Sequence, residues 1–170
     1  MDFMVTLSGT RVLIEAPHPD TIHFGDIARG LSNQCRYNGQ IEHFYSVAQH
    51  SCHVSDALPT HLQKIGLLHD AAEAYLGDMI TPIKKRMHSY QQMESTFFKA
   101  ICAKFNIEWS DSAWRAVADV DFAMLATECR DLGFSWSPDN VTPFNFRIDP
   151  WSPTRAYEEF CARGKRLCLF

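Results

Sequence analysis

Gly66-Leu67-Leu68-His69-Asp70-Ala71-Ala72-Glu73-Ala74-Tyr75-Leu76-Gly77-Asp78 is an apolar helical run broken by ionisable residues. Successive helical residues lie about 100° apart, so His69 and Asp70 flank one point and Glu73 returns to it one turn later. Three titratable groups thus converge on one patch. Burying them beside Leu67, Leu68, Ala71 and Ala72 costs roughly several kcal/mol per unpaired charge unless a counter-charge is present. A metal ion would supply it.

Two further segments can complete such a shell. Ser46-Val47-Ala48-Gln49-His50-Ser51 places an imidazole on the preceding helix, and Val117-Ala118-Asp119-Val120-Asp121 continues into a later one. Each sets an ionisable group among small apolar residues. A lone histidine in such a setting is usually a hydrogen-bonded core residue, so His50 carries weight only with its partners. Two imidazoles and two carboxylates suit a first-row transition ion better than calcium or magnesium, which prefer oxygen. Asp119 is a local rival of Asp121.

The order of one His, then His-Asp some twenty residues on, then a distant Asp, resembles the HD superfamily of metal-dependent phosphohydrolases over about residues 24–165. Within that span, HDAAEAYLGD followed by Thr81-Pro82-Ile83-Lys84 is similar to the corresponding stretch of bacterial 5′-deoxynucleotidases. It is also similar to small phage-encoded HD enzymes, among them dATP triphosphohydrolases. The resemblance implies one divalent transition metal (Zn, Co or Mn) held by His50, His69, Asp70 and Asp121. Glu73 is the implied acid or base, and Asp121 is preferred to Asp119 as the last ligand because D-x-x-x-L-A-x-E from Asp121 resembles the family register.

By the same resemblance Arg36 is the phosphate fork and Tyr37 replaces a family Trp, to stack on a base or limit room beside the sugar. Asp78 would meet sugar hydroxyls and Lys84 a phosphate. Many relatives carry Lys where this chain has Ala118, which shifts phosphate binding onto Arg36 and Lys84. The implied reaction is hydrolysis of the 5′ phosphoester of a deoxynucleoside phosphate, mono- or triphosphate. The rivals are a catalytically silent nucleotide sensor, and a dinuclear phosphodiesterase or oxygenase. The dinuclear reading needs further histidines between Asp70 and Asp121, where only His88 lies. Glu128, two turns beyond Asp121, reads equally as a supporting group or an ordinary salt-bridge residue and is left out of the site.

Outward from this centre, helical spacing predicts helices near 24–35, 46–57, 60–76, 88–105, 112–132 and 153–167. Met4-Val5-Thr6-Leu7 and Arg11-Val12-Leu13-Ile14, separated by Ser8-Gly9-Thr10, predict an N-terminal β-hairpin appendage within 1–16. Prolines and scattered aromatics in 133–152 predict an ordered non-helical wrap. The expectation is one all-α HD bundle of about six helices spanning 1–170. His18, His23, His43, His53, His61 and His88 are read as solvated, and Trp109, Trp114, Trp136 and Trp151 as core or oligomer contacts rather than base-stacking platforms.

With 170 residues, 46% hydrophobic, and a net charge of −4, the chain offers no global field for nucleic acid or an anionic membrane. An anionic substrate must therefore meet a local positive site. Cys35, Cys52, Cys102, Cys129, Cys161 and Cys168 form no C-x-x-C pair and imply no disulfides. MDFMVTLSGTRVLIE lacks the pattern of a leader, and no run reaches the roughly 18 apolar residues of a span. A soluble cytoplasmic protein is expected, with a deoxynucleotide as its partner and self-association into a dimer or hexamer.

Overall fold

The computed structural model describes residues 2–170. The N-terminal strands β1 (Phe3–Val5) and β2 (Arg11–Leu13) pair antiparallel with Met4 opposite Val12. The first strand ends sooner than its β-prone run. Thr6 already enters the turn, which Gly9 closes at φ +84°. Val12 is buried, and Ser8 donates to Asp26 at 2.7 Å, docking the hairpin on the first helix.

Eight helical segments follow among the described residues: α1 (Phe24–Asn33), α2 (Val47–Ala57), α3 (Gln63–Leu68), α4 (Glu73–Leu76), α5 (Thr81–Lys84), α6 (His88–Phe105), α7 (Asp111–Asp131) and α8 (Pro153–Arg166). Serine caps set three of the starts. Ser46, Ser110 and Ser152 accept from the backbone N–H groups of Gln49, Ala113 and Arg155. α2 occupies the centre and packs on α1, α3, α7 and α8. Its apolar residues Val47, Ala48, Cys52 and Val54 meet Ile27, Leu31, Leu67, Leu68 and Phe160 in one core. This is the all-α bundle with a small hairpin that the periodicity predicts.

The expected single helix over 60–76 is broken. A 3-10 turn at Thr60–Leu62 leads into α3, and between α3 and α4 the backbone bonds run three residues back, from Ala71 to Leu68 and from Glu73 to Asp70. The cause is local: the carbonyl of Gly66 accepts from the His69 ring at 2.8 Å. The helix tightens at His69-Asp70 and resumes at Glu73. α4 is then fixed from outside, because the Gln34 amide donates to the Glu73 carbonyl at 2.7 Å and its oxygen accepts from the Asp78 N–H at 3.1 Å. Gly77, at φ +84°, supplies the left-handed turn that ends α4.

Gly30 lets α1 approach α4. A Cβ on it would lie 2.8 Å from Ala74 Cβ and 2.9 Å from the Ala74 carbonyl. The short α5 escaped the sequence reading; it turns the chain beneath α6.

Segment 133–152 carries no helix or strand and is held by backbone capture. Arg130 donates to the carbonyls of Phe144 and Phe146 at 2.6 and 2.5 Å, and Asp131 accepts from the Ile148 N–H at 2.9 Å. The Gln49 side chain, on α2, bonds the Asp149 carbonyl and the Trp151 N–H, both at 2.8 Å. One expectation fails here. His53 is half-buried against Phe146 and Trp151, where burial, with help from His50 and Arg163, pushes it down to about 4. Of the four tryptophans only Trp151 is buried; Trp109, Trp114 and Trp136 are 49%, 41% and 60% exposed.

Candidate metal centre and substrate cleft

Three elements distant in sequence converge. α2 contributes His50, the tightened turn after α3 contributes His69 and Asp70, and α7 contributes Asp121. One ligand atom from each of His50, His69 and Asp121 lies within 4.8 Å of the others. Asp70 joins them: its Oδ2 is 3.2 Å from His69 Nε2 and 3.6 Å from His50 Nε2. Asp121 Oδ1 is 3.0 Å from His50 Nε2, whereas Asp119 lies on the exposed face of α7.

Both imidazoles use Nδ1 in a hydrogen bond and turn Nε2 toward the carboxylates. A carbonyl only accepts, so His69 Nδ1 carries the proton shared with Gly66. His50 Nδ1 likewise faces Glu128 Oε1 at 2.6 Å. The two Nε2 atoms are buried and lack a hydrogen-bond partner among the described residues. Two orphaned imidazole nitrogens facing two carboxylates are the donor set of a transition-metal site, and the residues fit one.

The field of the cluster points the same way. Burial and Arg36 oppose a charge on His50, yet Glu128 and Asp121 overcome them and push it up to about 10. A site that favours positive charge on a buried ring is one that favours a cation. Burial also works against Asp70, but the rings of His69 and His50 and the Arg36 guanidinium hold it well below the carboxylate range.

Glu128 is the residue the sequence reading left out. Fully buried, it accepts from His50, from Arg36 Nη2 at 3.1 Å and from the Tyr37 hydroxyl. Burial would raise its carboxyl; Arg36, His50 and the hydrogen bond from Tyr37 hold it down at about 2. The signal in the sequence was its place two turns past Asp121 on one helix face, as the last residue of the D-x-x-x-L-A-x-E register.

Arg36 and Tyr37 follow a bridge between Cys35 and Ser46, with the Arg36 N–H bonded to the Tyr45 carbonyl at 2.9 Å. Tyr37 and Asn38 then take left-handed backbone, φ 59° and 52°, a strained state for a bulky residue. That turn aims the Tyr37 hydroxyl at Glu128 and lays its ring on Phe134. Arg36 Nη1 reaches to 3.8 Å from Asp70.

Glu73 is buried, and its Oε2 has no partner among the described residues. Burial and the charges of Asp70 and Asp78 raise its carboxyl well above the ordinary range. Lys84 stands 3.5 Å from Glu73 Oε1 and donates to Glu94 Oε1 at 2.6 Å. Asp78 lies half-buried, and burial raises it too.

Two cavities meet here. One, about 1100 Å³, is bordered by Arg36, Tyr37, Glu73, Asp78 and the segment from Met79 to Arg86. The other, about 440 Å³, lies between α6 and α7. Asp70, Lys84 and Asp121 border both.

The family model described as the HD domain matches residues 27–119, a span that contains His50, His69, Asp70 and Glu73 and stops just before Asp121. The chain belongs to the HD-domain family. It is similar to the uncharacterized protein YfdR of Escherichia coli K12, 37% identical over 98% of this chain and 96% of that one. An uncharacterized protein of Rhodobacter capsulatus is 38% identical over 59% of this chain and 57% of its own. The HD-domain family is one of metal-dependent phosphohydrolases, and the cluster of His50, His69 and Asp121 is a possible metal site of this member. No helix of the described residues is long and apolar enough to cross a membrane.

Proposed function

We propose that this HD-domain chain hydrolyses the 5′ phosphoester of deoxynucleoside phosphates, releasing the nucleoside and phosphate or triphosphate. One observation carries the reading: a buried carboxyl, Glu73, keeps an unpartnered oxygen one helical turn from His69-Asp70, with the Lys84 ammonium beside it. That is a carboxyl able to relay a proton, with an ammonium beside it.

His50, His69, Asp70 and Asp121 would hold one divalent ion, Zn, Co or Mn. Such an ion supplies Lewis acidity, drawing electron density from phosphoryl oxygens and from a nearby water. Arg36 and Lys84 would neutralise the remaining phosphate charge; phosphoryl transfer asks chiefly for positioning and charge stabilisation. Glu73 Oε2 would take the proton of the attacking water and pass it to the departing 5′ oxygen. Its raised affinity for a proton suits both halves of that task. Tyr37 and Asp78 would shape the wall of the larger cavity, where the phosphate lies.

The test is a panel of mono- and triphosphates of all bases, run with Mn, Co and Zn and resolved by product. Release of nucleoside is expected. Glu73→Gln should lose turnover by about 100-fold or more while metal content stays at the wild-type level. A metal-loaded wild type that hydrolyses nothing in the panel would instead make the chain a nucleotide sensor.

A further inference from the structure

The two cavities that meet at Asp70 and Asp121 differ in chemistry. The larger sets the cations Arg36, Lys84, Lys85 and Arg86 against four carboxylates and carries Phe122 and Trp136 on its wall. The smaller is bordered by three aromatic rings, Phe98, Trp109 and Trp114, and floored by the small residues Ala72 and Ala118. Helical spacing brings Gln91, Glu94 and Phe98 to one face of α6 and Trp114, Ala118 and Asp121 to one face of α7, and these faces line the cleft.

The rings are braced. Phe98 meets Trp114 at 5.3 Å and Trp109 at 6.2 Å, both edge to face, so each indole is held while nearly half its surface stays open. Large apolar rings held open on a concave wall beside a reaction centre mark a place for a planar group. Polar edges stand within the same cleft. Gln91 spends its amide N–H on the Lys84 carbonyl and keeps its oxygen as an acceptor, and Lys99 offers a donor.

We propose that the α6–α7 cleft is the nucleobase subsite. The base stacks on Trp109 and Trp114, the sugar crosses above Ala72 and Ala118, and the phosphate lies against Arg36 and Lys84 at the mouth of the larger cavity. The inference rests on the nucleotide reading of the site. It moves the base away from Tyr37, whose hydroxyl is committed to Glu128 and whose ring packs on Phe134.

Tryptophan emission separates the two cavities, because Trp136 borders the larger one. Metal-loaded full-length chain carrying Glu73→Gln, which prevents turnover, is titrated with dAMP and with 2-deoxyribose 5-phosphate. Saturable quenching by dAMP alone is expected. It should vanish in Trp109→Phe/Trp114→Phe and persist in Trp136→Phe. With Glu73 restored, Trp109→Ala/Trp114→Ala should raise KM for dAMP about tenfold or more and leave that for deoxyribose phosphate unchanged. Quenching that follows Trp136 instead, equal binding of the two ligands, or no binding of dAMP overturns the subsite. Quenching through Trp109 and Trp114 without phosphate release by the wild type would keep the subsite and overturn the hydrolase reading.

Discussion

Glu128 ties the metal cluster to the substrate side. Its two oxygens hold the His50 ring in one tautomer and tether Arg36 and Tyr37, so a single buried carboxylate orients the proposed ligand His50 and positions the guanidinium proposed to meet phosphate. Carboxylates that support a metal-bound histidine contribute about 10–100-fold to metal affinity. Glu128→Gln should therefore weaken zinc binding by about that factor in chelator competition, and raise KM through Arg36. Unchanged affinity would reduce Glu128 to a salt bridge. The two aspartates of α7 separate at the same scale: Asp121→Asn should lose bound metal by elemental analysis, while Asp119→Asn, on the exposed face, should keep it. The cluster was legible because His69-Asp70 announces itself in an apolar run. The part played by Glu128 was not, since its partners stand on other elements and the register that ends on it does not say what it meets.

The long helices could be read because their apolar spacing agrees with their burial and serines cap the starts of α2, α7 and α8. The break after α3 could not. Its apolar pattern is continuous through Leu76, and the chain departs from it only because the His69 ring takes the Gly66 carbonyl. The consequence for Glu73 runs through α1: with Gly30 against Ala74, any side chain at position 30 pushes on α4. Gly30→Val should destabilise the fold by about 1–3 kcal/mol in denaturant titration and lower activity in the folded fraction. The 133–152 segment tests differently. Asp131, buried on α7, accepts from Arg130, Arg147 and the Ile148 N–H, and these hold its carboxyl far below the ordinary carboxylate range. Because the folded state lowers this pKa, the stabilisation is full above the unfolded value of about 3.9 and is lost as pH falls below it. Asp131→Asn should cost about 1–3 kcal/mol at pH 7 and lose less further stability than the wild type on acidification, as followed by thermal melts.

At the scale of the molecule, the proposed ligands come from α2, the α3–α4 turn and α7, with the hydrogen bond from His50 to Glu128 joining α2 to α7 a second time. An ion bound there joins segments that the unfolded chain does not hold together, so its binding energy adds to folding stability. With free metal at 100 times its dissociation constant the gain is about 2.7 kcal/mol. For a chain of this size each kcal/mol moves the midpoint by about 2–4 °C, so adding the native metal to chelator-treated protein should raise Tm by about 5–11 °C. The control separates binding at the cluster from general salt effects: Asp121→Asn should melt at the same temperature with and without metal. An equal rise in that variant would place the bound ion elsewhere and remove the metal from the link between the three elements.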